Sequence, residues 1–227
     1  MILREIEVYA RRKVRKHFKI FAEKDRAALT NKDFVIVTNN CWGGSLYQWY
    51  QLPYNTPFVG LFIYGPCYSK LLKNFDHYMA QELKFTAESK YKDRPKTFPV
   101  GVLDDIEIHF QHYASEDEAR EKWERRTGRM LENKNKDNYF FMIADRERAN
   151  KEILQEFHTL PYKNKISFAA FALENTSNEE HIVVFERPKS KKFETPNGKK
   201  MFNLTFLYFD LVTWLNTGKV RRTRFKT

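Results

Sequence analysis

Two short stretches of the chain carry side chains that could do chemistry. The first is Asn39-Asn40-Cys41-Trp42-Gly43-Gly44, which directly follows the apolar β-type run 34–38. A thiol between a strand and a helix is exposed to attack a substrate, and the helix N-terminus favours its thiolate. Backbone N–H groups of residues 42–44, with an amide of Asn39 or Asn40, could stabilise an oxyanion. The stretch predicts acyl transfer through a thioester on Cys41, or simply a small buried cysteine near a turn.

The second stretch alternates polar and apolar side chains. Asp105, Glu107 and His109 fall on every second position, so in a strand they share one face. His109 would then act as the base towards Cys41, with Asp105 or Glu107 orienting its imidazole. The alternatives are that the same three side chains hold a divalent metal for glycosyl or sugar-phosphate transfer, or that they are the solvated face of an edge strand.

Cationic side chains near residue 126 are suited to hold a phosphate in that second kind of transfer. The candidates are Arg125, Arg126 and Arg129. Trp123 and Arg126 would close the substrate side of the site. The predicted catalytic residues are Cys41, His109, Asp105 and Glu107; the predicted substrate-binding residues are Asn39, Asn40, Trp42, Gly43, Gly44, Trp123 and Arg126.

The elements that must position these residues alternate between strand and helix from residue 34 to about residue 173. This pattern predicts a three-layer α/β/α fold with a mainly parallel or mixed sheet, preceded by a basic N-terminal helix. We divide the chain into the helix (1–30), the α/β domain (31–218) and a basic tail (219–227). Residues 58–64 are predicted to form a buried strand, and residues 202–215 a strand followed by a helix.

Charge and hydropathy point to an anionic partner. The chain has 40 basic and 29 acidic residues, a net charge of +11. Residues 2–28 predict a basic helix, with Leu3, Ile6, Ala10 and Val14 at helical spacing, which either lies on an anionic membrane or packs on the domain. No signal peptide and no apolar run of ~20 residues is present, which predicts a cytoplasmic protein, peripheral at the inner membrane face, with reduced cysteines.

A third class of function is non-enzymatic binding of an anion or a nucleic acid. The basic helix, the run 189–192 and the tail supply the charge, and 20 phenylalanines and 12 tyrosines could stack on bases. Most of these aromatic residues fall in runs typical of buried strands, and no helix–turn–helix, RRM or zinc-finger pattern occurs. We therefore expect no nucleic acid partner.

Several blocks of the sequence resemble a bacterial family, domain of unknown function 1919. They are Asn39 to Gly44, Leu52-Pro53-Tyr54-Asn55-Thr56-Pro57 with Gly60-Leu61-Phe62, Pro99-Val100-Gly101, Asp105 to Phe110, Ala119 with Trp123 and Arg126, and Leu160-Pro161-Tyr162-Lys163-Asn164-Lys165. The resemblance covers residues 30–215. It implies an α/β/α fold and a role in capsule or exopolysaccharide biosynthesis. Family members are labelled as exopolysaccharide biosynthesis proteins or as acetyltransferases.

The resemblance and the residues together predict a transferase. Acyl transfer to a sugar hydroxyl through Cys41 is favoured, with an acyl donor such as acyl-CoA. The alternative is glycosyl or sugar-phosphate transfer on the face of Asp105, Glu107 and His109. The expected substrate is a sugar or a lipid-linked sugar phosphate.

Overall fold

The structure is a computed structural model that describes residues 2–17, 19–92, 97–174, 176, 179–184 and 194–223. The predicted basic run 189–192 and residues 224–227 of the predicted tail lie outside this part. In chain order the elements are α1 (Ile2–His17), α2 (Lys19–Ala28), β1 (Val35–Thr38), α3 (Trp42–Tyr50), α4 (Gly65–Lys73), α5 (Phe75–Met79), β2 (Lys84–Phe85), β3 (Val100–Leu103), β4 (Ile106–His109), α6 (Glu116–Glu132), β5 (Tyr139–Ala144), α7 (Lys151–Thr159), β6 (Asn164–Ala169), β7 (His181–Val183), α8 (Gly198–Thr205) and α9 (Leu211–Thr217).

The main sheet has four parallel strands in the order β1-β5-β6-β7. Val35 of β1 lies opposite Tyr139 of β5, and Ser167 of β6 lies opposite His181 of β7. Parallel strands need a crossover between them, and helices supply it between β1 and β5 and between β5 and β6. The predicted α/β fold with a mainly parallel sheet is confirmed.

The sheet is buried on both faces, because side chains alternate along each strand. Tyr139 and Phe141 of β5 point into one apolar core, which α4, α5, α6 and α7 complete. Phe140 and Met142 point into the other core, which α3, α8 and α9 complete. The predicted three layers are therefore present, with helices on each side of the sheet.

A second, antiparallel sheet has the order β2-β3-β4, and a single short segment joins it to the main sheet. Phe62 exchanges two backbone hydrogen bonds of 2.9 Å with His109 of β4, while the Ile63 N–H donates to the Asn39 carbonyl at 3.0 Å. Instead of the predicted strand over residues 58–64, the chain forms a short bridge between the two sheets at residues 62 and 63. The first half of the predicted strand is a turn, because Gly60 has a φ of 74° that an extended strand does not allow.

The region after residue 197 is more helical than predicted, whereas the N-terminal region is helical as predicted: α1 and α2 cover residues 2–17 and 19–28 of the predicted helix 2–28. The strand predicted after residue 202 is wrong, since α8 and α9 occupy this region. Each of these helices starts at a side-chain cap: Asn197 accepts from the Lys200 N–H, and Asp210 accepts from the Thr213 N–H. In the described ranges, no helix is long and apolar enough to cross a membrane.

Candidate functional site at the carboxyl end of β1

The two asparagines that follow β1 are used to fix the turn. The Asn39 side chain pairs with both backbone groups of Ala144, at 3.1 and 3.2 Å, and so continues the β1–β5 ladder. The Asn40 side-chain oxygen accepts the Trp42 N–H at 2.9 Å, and its amide N–H donates to the Asn39 side-chain oxygen at 3.1 Å. These bonds occupy the amide groups that the sequence assigned to an oxyanion.

Helix α3 begins at Trp42, whereas the sequence predicts a helix from about Ser45 to Tyr50, and its first residues face the protein. Trp42 is fully buried and donates its indole N–H to Thr205 at 2.9 Å. A Cβ on Gly43 would lie 2.9 Å from the Cγ2 atoms of Ile36 and Thr38. The close approach expected of these glycines is therefore an approach of α3 to β1, not to a substrate.

Cys41 lies half-buried at this junction, with its thiol 3.7 Å from the Leu61 carbonyl oxygen. Burial, and then the nearby Glu147 carboxylate, raise the pKa of Cys41 to about 11. The thiol is thus protonated at neutral pH. The helix N-terminus does not produce the thiolate that the sequence predicts for it.

Cys41 and His109 lie on opposite edges of the segment 61–63. Leu61 faces Cys41, whereas Phe62 pairs with His109 through the backbone. Two inter-strand spacings amount to roughly 9–10 Å, beyond hydrogen-bond reach. The His109 ring also stacks on Phe62, with centroids 4.7 Å apart. The geometry does not support a Cys41–His109 triad.

Glu107 and His109 share one face of β4, as predicted, and both are buried. The Glu107 carboxylate lies 3.4 Å from His109 Nε2, and it accepts from the Ser89 hydroxyl at 2.7 Å and the Lys90 N–H at 2.8 Å. The two side chains have the relative geometry of a catalytic base and the carboxylate that orients it. Both, however, are buried within the second sheet.

Asp105 is separate from that pair. It lies in the turn before β4, exposed, where it bonds to Lys70 and accepts from the Tyr78 hydroxyl at 2.7 Å. The Lys70 ammonium lowers the pKa of Asp105. Among the described residues, no three His, Cys, Asp or Glu side chains are grouped to hold a metal ion. The predicted three-residue metal face is therefore not formed.

Arg126 is the candidate that the structure makes most unusual. It is 8% exposed, and its guanidinium lies 4.9 Å from the centroid of the Tyr54 ring. One NH group donates to the Tyr113 hydroxyl at 2.7 Å, and Nε has no hydrogen-bond partner. Within the described ranges no carboxylate pairs with it; Glu118 and Glu121 of the same helix pair with Lys122 and Arg125.

The other predicted residues of α6 have plainer surroundings. Arg125 is exposed in its ion pair, and Arg129 is exposed and donates to the Tyr54 carbonyl oxygen at 3.3 Å. Trp123 is 4% exposed and packs against Phe58, so it is a core residue. Of the predicted arginines, Arg126 alone has its charge inside the protein.

A turn at residues 59–61 brings Arg126 towards Cys41. Tyr113, which holds Arg126, donates its hydroxyl to the Val59 carbonyl oxygen at 2.6 Å, and the Cys41 thiol faces Leu61. Gly60 is required between them, because its φ is 74° and a Cβ there would lie 3.0 Å from the Tyr113 ring. The thiol therefore contacts this three-residue turn directly, and the buried cation is joined to it through Tyr113.

Three residues at this edge lie outside the predicted site: Tyr113, Arg146 and Glu147. Glu147 follows β5 and its charge acts on Cys41. Arg146 donates to the Glu194 carboxylate at 3.1 Å and to the Thr195 carbonyl oxygen at 2.8 Å. For Arg146 and Glu147, the position after the buried strand β5, like that of Cys41 after β1, was a signal in the sequence.

Comparison with known proteins agrees with the motifs. A family model described as "Domain of unknown function (DUF1919)" matches residues 11–216. An uncharacterized protein of Haemophilus influenzae is 36% identical over 192 residues, which are 83% of this chain and 86% of the relative. The predicted family resemblance is confirmed.

Proposed function

The chain belongs to the family of domain of unknown function DUF1919, and from that premise we propose that it is a transferase acting on a phosphate-bearing sugar precursor in bacterial surface-polysaccharide biosynthesis. The role in surface-polysaccharide biosynthesis is the one that the sequence resemblance implies. The site at the carboxyl end of β1 supplies the chemistry. The net charge of +11 suits an anionic substrate.

This proposal depends mainly on one observation, the burial of the Arg126 guanidinium. A guanidinium removed from water costs free energy unless an anion compensates it. Within the described residues no carboxylate forms an ion pair with Arg126, and Glu118 and Glu121, which pair with Lys122 and Arg125, act on it only from a longer distance. Arginine binds phosphate through two parallel N–H donors, and Arg126 Nε is without a partner. A substrate phosphate is the anion that fits this position.

The reaction we propose is a displacement at the sugar carbon that carries the phosphate. The acceptor hydroxyl forms the new C–O bond, and the phosphate leaves with the electron pair of the bond that breaks. Arg126 stabilises the charge on the leaving phosphate. Glu147, the carboxylate beside Cys41, accepts the proton of the hydroxyl.

The test replaces the charged side chain of Arg126 by an uncharged side chain of similar length. Arg126→Met should weaken the binding of UDP-glucose and pyrophosphate at least about tenfold in calorimetry, because a charge-assisted hydrogen bond is lost. Arg125→Met is the matched control, since this exposed arginine pairs with Glu121. Equal affinity in both variants would contradict the proposal.

Acyl transfer through Cys41 is the second candidate, favoured by a half-exposed thiol on the same turn. An acyl donor such as acyl-CoA would form a thioester with the Cys41 sulfur and release its own thiol. The sugar hydroxyl would then attack the thioester. We rank it second because the raised pKa of Cys41, about 11, leaves little thiolate at neutral pH.

We further propose that the protein works in the cytoplasm at the inner face of the membrane. Helix α1 supports this, because Ile6 and Val14 are 58% and 44% exposed on a basic helix. Ile6→Ser with Val14→Ser should reduce sedimentation with phosphatidylglycerol vesicles. Leu131→Ser, at an exposed leucine of α6, is the control; unchanged sedimentation of the α1 variant would remove this role.

A further inference from the structure

A cavity of about 570 Å³ lies between α1 and the last two helices, away from Arg126. Its size is within the ~300–1,000 Å³ range of small-molecule sites. Much of its wall is apolar: Trp49 of α3, Phe202 and Phe206 around α8, and Leu211 and Val212 of α9. Such a wall binds a hydrocarbon chain or a flat apolar group.

The charges at the cavity do not cancel. Five charged side chains line it, namely Lys13, Arg15, Asp25, Lys200 and Asp210. Arg15 forms an ion pair with Asp25. Asp210 caps α9 by accepting from the Thr213 N–H at 3.0 Å and the Thr213 hydroxyl at 2.8 Å.

The two lysines remain without an acid. Lys13 lies on α1 and Lys200 on α8, and in the part of the chain that the structure describes neither has a carboxylate partner. The Lys13 ammonium lies 5.5 Å from the centroid of the Tyr9 ring, which carries no charge. The cavity thus combines an apolar wall with two cations on opposite helices.

We propose that this cavity binds an anionic amphiphile, whose hydrocarbon chain lies along the aromatic wall and whose acid group lies between Lys13 and Lys200. The chain would contact Trp49 and Val212. An acid group there supplies the counter-charge that the two lysines lack. A phosphate monoester and a carboxylate satisfy this chemistry equally.

Helix α1 provides a path for the amphiphile from a membrane surface to the cavity. The same helix that lines the cavity with Lys13 and Arg15 exposes Ile6 and Val14 to solvent. A basic helix with an apolar stripe lies in the headgroup region of an anionic bilayer. An amphiphile leaving the bilayer would therefore meet the cavity wall first. This binding does not depend on the function proposed for Arg126.

The experiment uses the full chain and stearate that carries a doxyl quencher, below its micelle concentration. We expect saturable quenching of tryptophan fluorescence, removed by Trp49→Phe because Trp49 lines the cavity. The methyl ester of the same probe should bind more weakly. Displacement by oleate or by oleoyl lysophosphatidate reports which acid group is preferred, and competition by either supports the proposal.

A matched pair of lysines tests the charge. Lys200→Gln should weaken binding roughly threefold to fivefold, as expected for the loss of a partly exposed ion pair. Lys199→Gln, at the exposed neighbour outside the cavity, should leave it unchanged. Absence of saturable quenching, equal effects of the two variants, or binding to phosphatidylglycerol vesicles without binding of the monomeric probe would overturn the proposal.

Discussion

Two buried charges, Glu107 in the second sheet and Arg126 beside the carboxyl end of β1, are treated differently by the protein. Both side chains are at least nine-tenths buried. Glu107 accepts from a hydroxyl and a backbone N–H of the chain itself, and the His109 imidazole lies 3.4 Å away. Arg126 receives a tyrosine hydroxyl and the face of a ring.

The difference teaches which buried polar group points to a ligand. A buried charge that the protein satisfies contributes to the fold, and its removal leaves donors without an acceptor. A buried charge that the protein leaves without a counter-ion costs free energy until something from outside compensates it. By this criterion Glu107 is bonded within the fold, and Arg126 is the buried charge at which we propose that a ligand binds.

A second hydrogen-bonded network lies between α7, β6 and β7. His181 Nε2 is 2.9 Å from the Phe171 carbonyl oxygen, so this nitrogen donates. Neutral His181 therefore accepts from the Ser167 hydroxyl through Nδ1, at 2.7 Å, and Ser167 accepts from His158 Nε2 at 2.7 Å. Each bond fixes the direction of the next, so this network resembles Glu107 rather than Arg126.

The largest expected effect is at Glu107. Glu107→Ala should lower the free energy of unfolding by about 3 kcal/mol or more, because the Ser89 hydroxyl and the Lys90 N–H lose their charged acceptor. Urea unfolding followed by circular dichroism measures it. Glu88→Ala is the control, since Glu88 is exposed and pairs with Lys92. A loss of unfolding free energy no larger than that of Glu88→Ala would contradict the difference drawn between Glu107 and Arg126.

The next effect is a dependence of stability on pH through His181. Burial lowers the pKa of His181 to about 4, from an ordinary value of 6.5. Between these values the unfolded chain binds a proton that the folded chain does not, so stability falls as the pH drops from 6.5 to 4, by about 3 kcal/mol in all. His181→Asn should flatten this part of the profile, whereas His77→Asn, at an exposed histidine, should not.

The third effect is the small change expected at Arg126. Arg126→Met should leave the free energy of unfolding within about 1 kcal/mol of wild type, or raise it, because an uncompensated buried charge is replaced by an apolar chain of similar length. The same urea titration measures it. A loss as large as that of Glu107→Ala would mean that the protein itself satisfies Arg126.

The smallest effect concerns Cys41. Glu147 is the second cause of its raised pKa, after burial. Glu147→Gln should therefore lower that pKa and speed alkylation by iodoacetamide at pH 9 by a few-fold, measured by mass spectrometry with buried Cys67 as internal reference. Rapid alkylation of the wild-type thiol at pH 7 would instead favour acyl transfer.

Much of the fold could be predicted because the pattern is local. The run 139–144 is a strand at the predicted bounds, and Ser115 caps α6 by accepting from the Glu118 N–H at 3.2 Å. The strand assigned after residue 202 failed because the aromatic composition outweighed two caps, Asn197 and Asp210. Those caps were visible in the sequence.

The site could be predicted only in part, because its properties come from long-range contacts. Arg126 could be selected by its charge and its place on a helix. The burial of Cys41 depends on the 59–61 turn and on Glu147, and no spacing in the sequence encodes their meeting. Tyr113 was missed for the same reason, since its role is to join Arg126 to that turn.

The register of the main sheet has a consequence for synthesis of the protein. Val35 of β1 pairs with Tyr139 of β5, so the first strand leaves the ribosome about a hundred residues before its partner. At about 5–20 residues per second this interval lasts roughly 5–20 s. Meanwhile the nascent chain carries an apolar strand with both edges open, while the β3–β4 hairpin can already close. Recombinant yield should therefore depend on chaperones and on slow, cool expression.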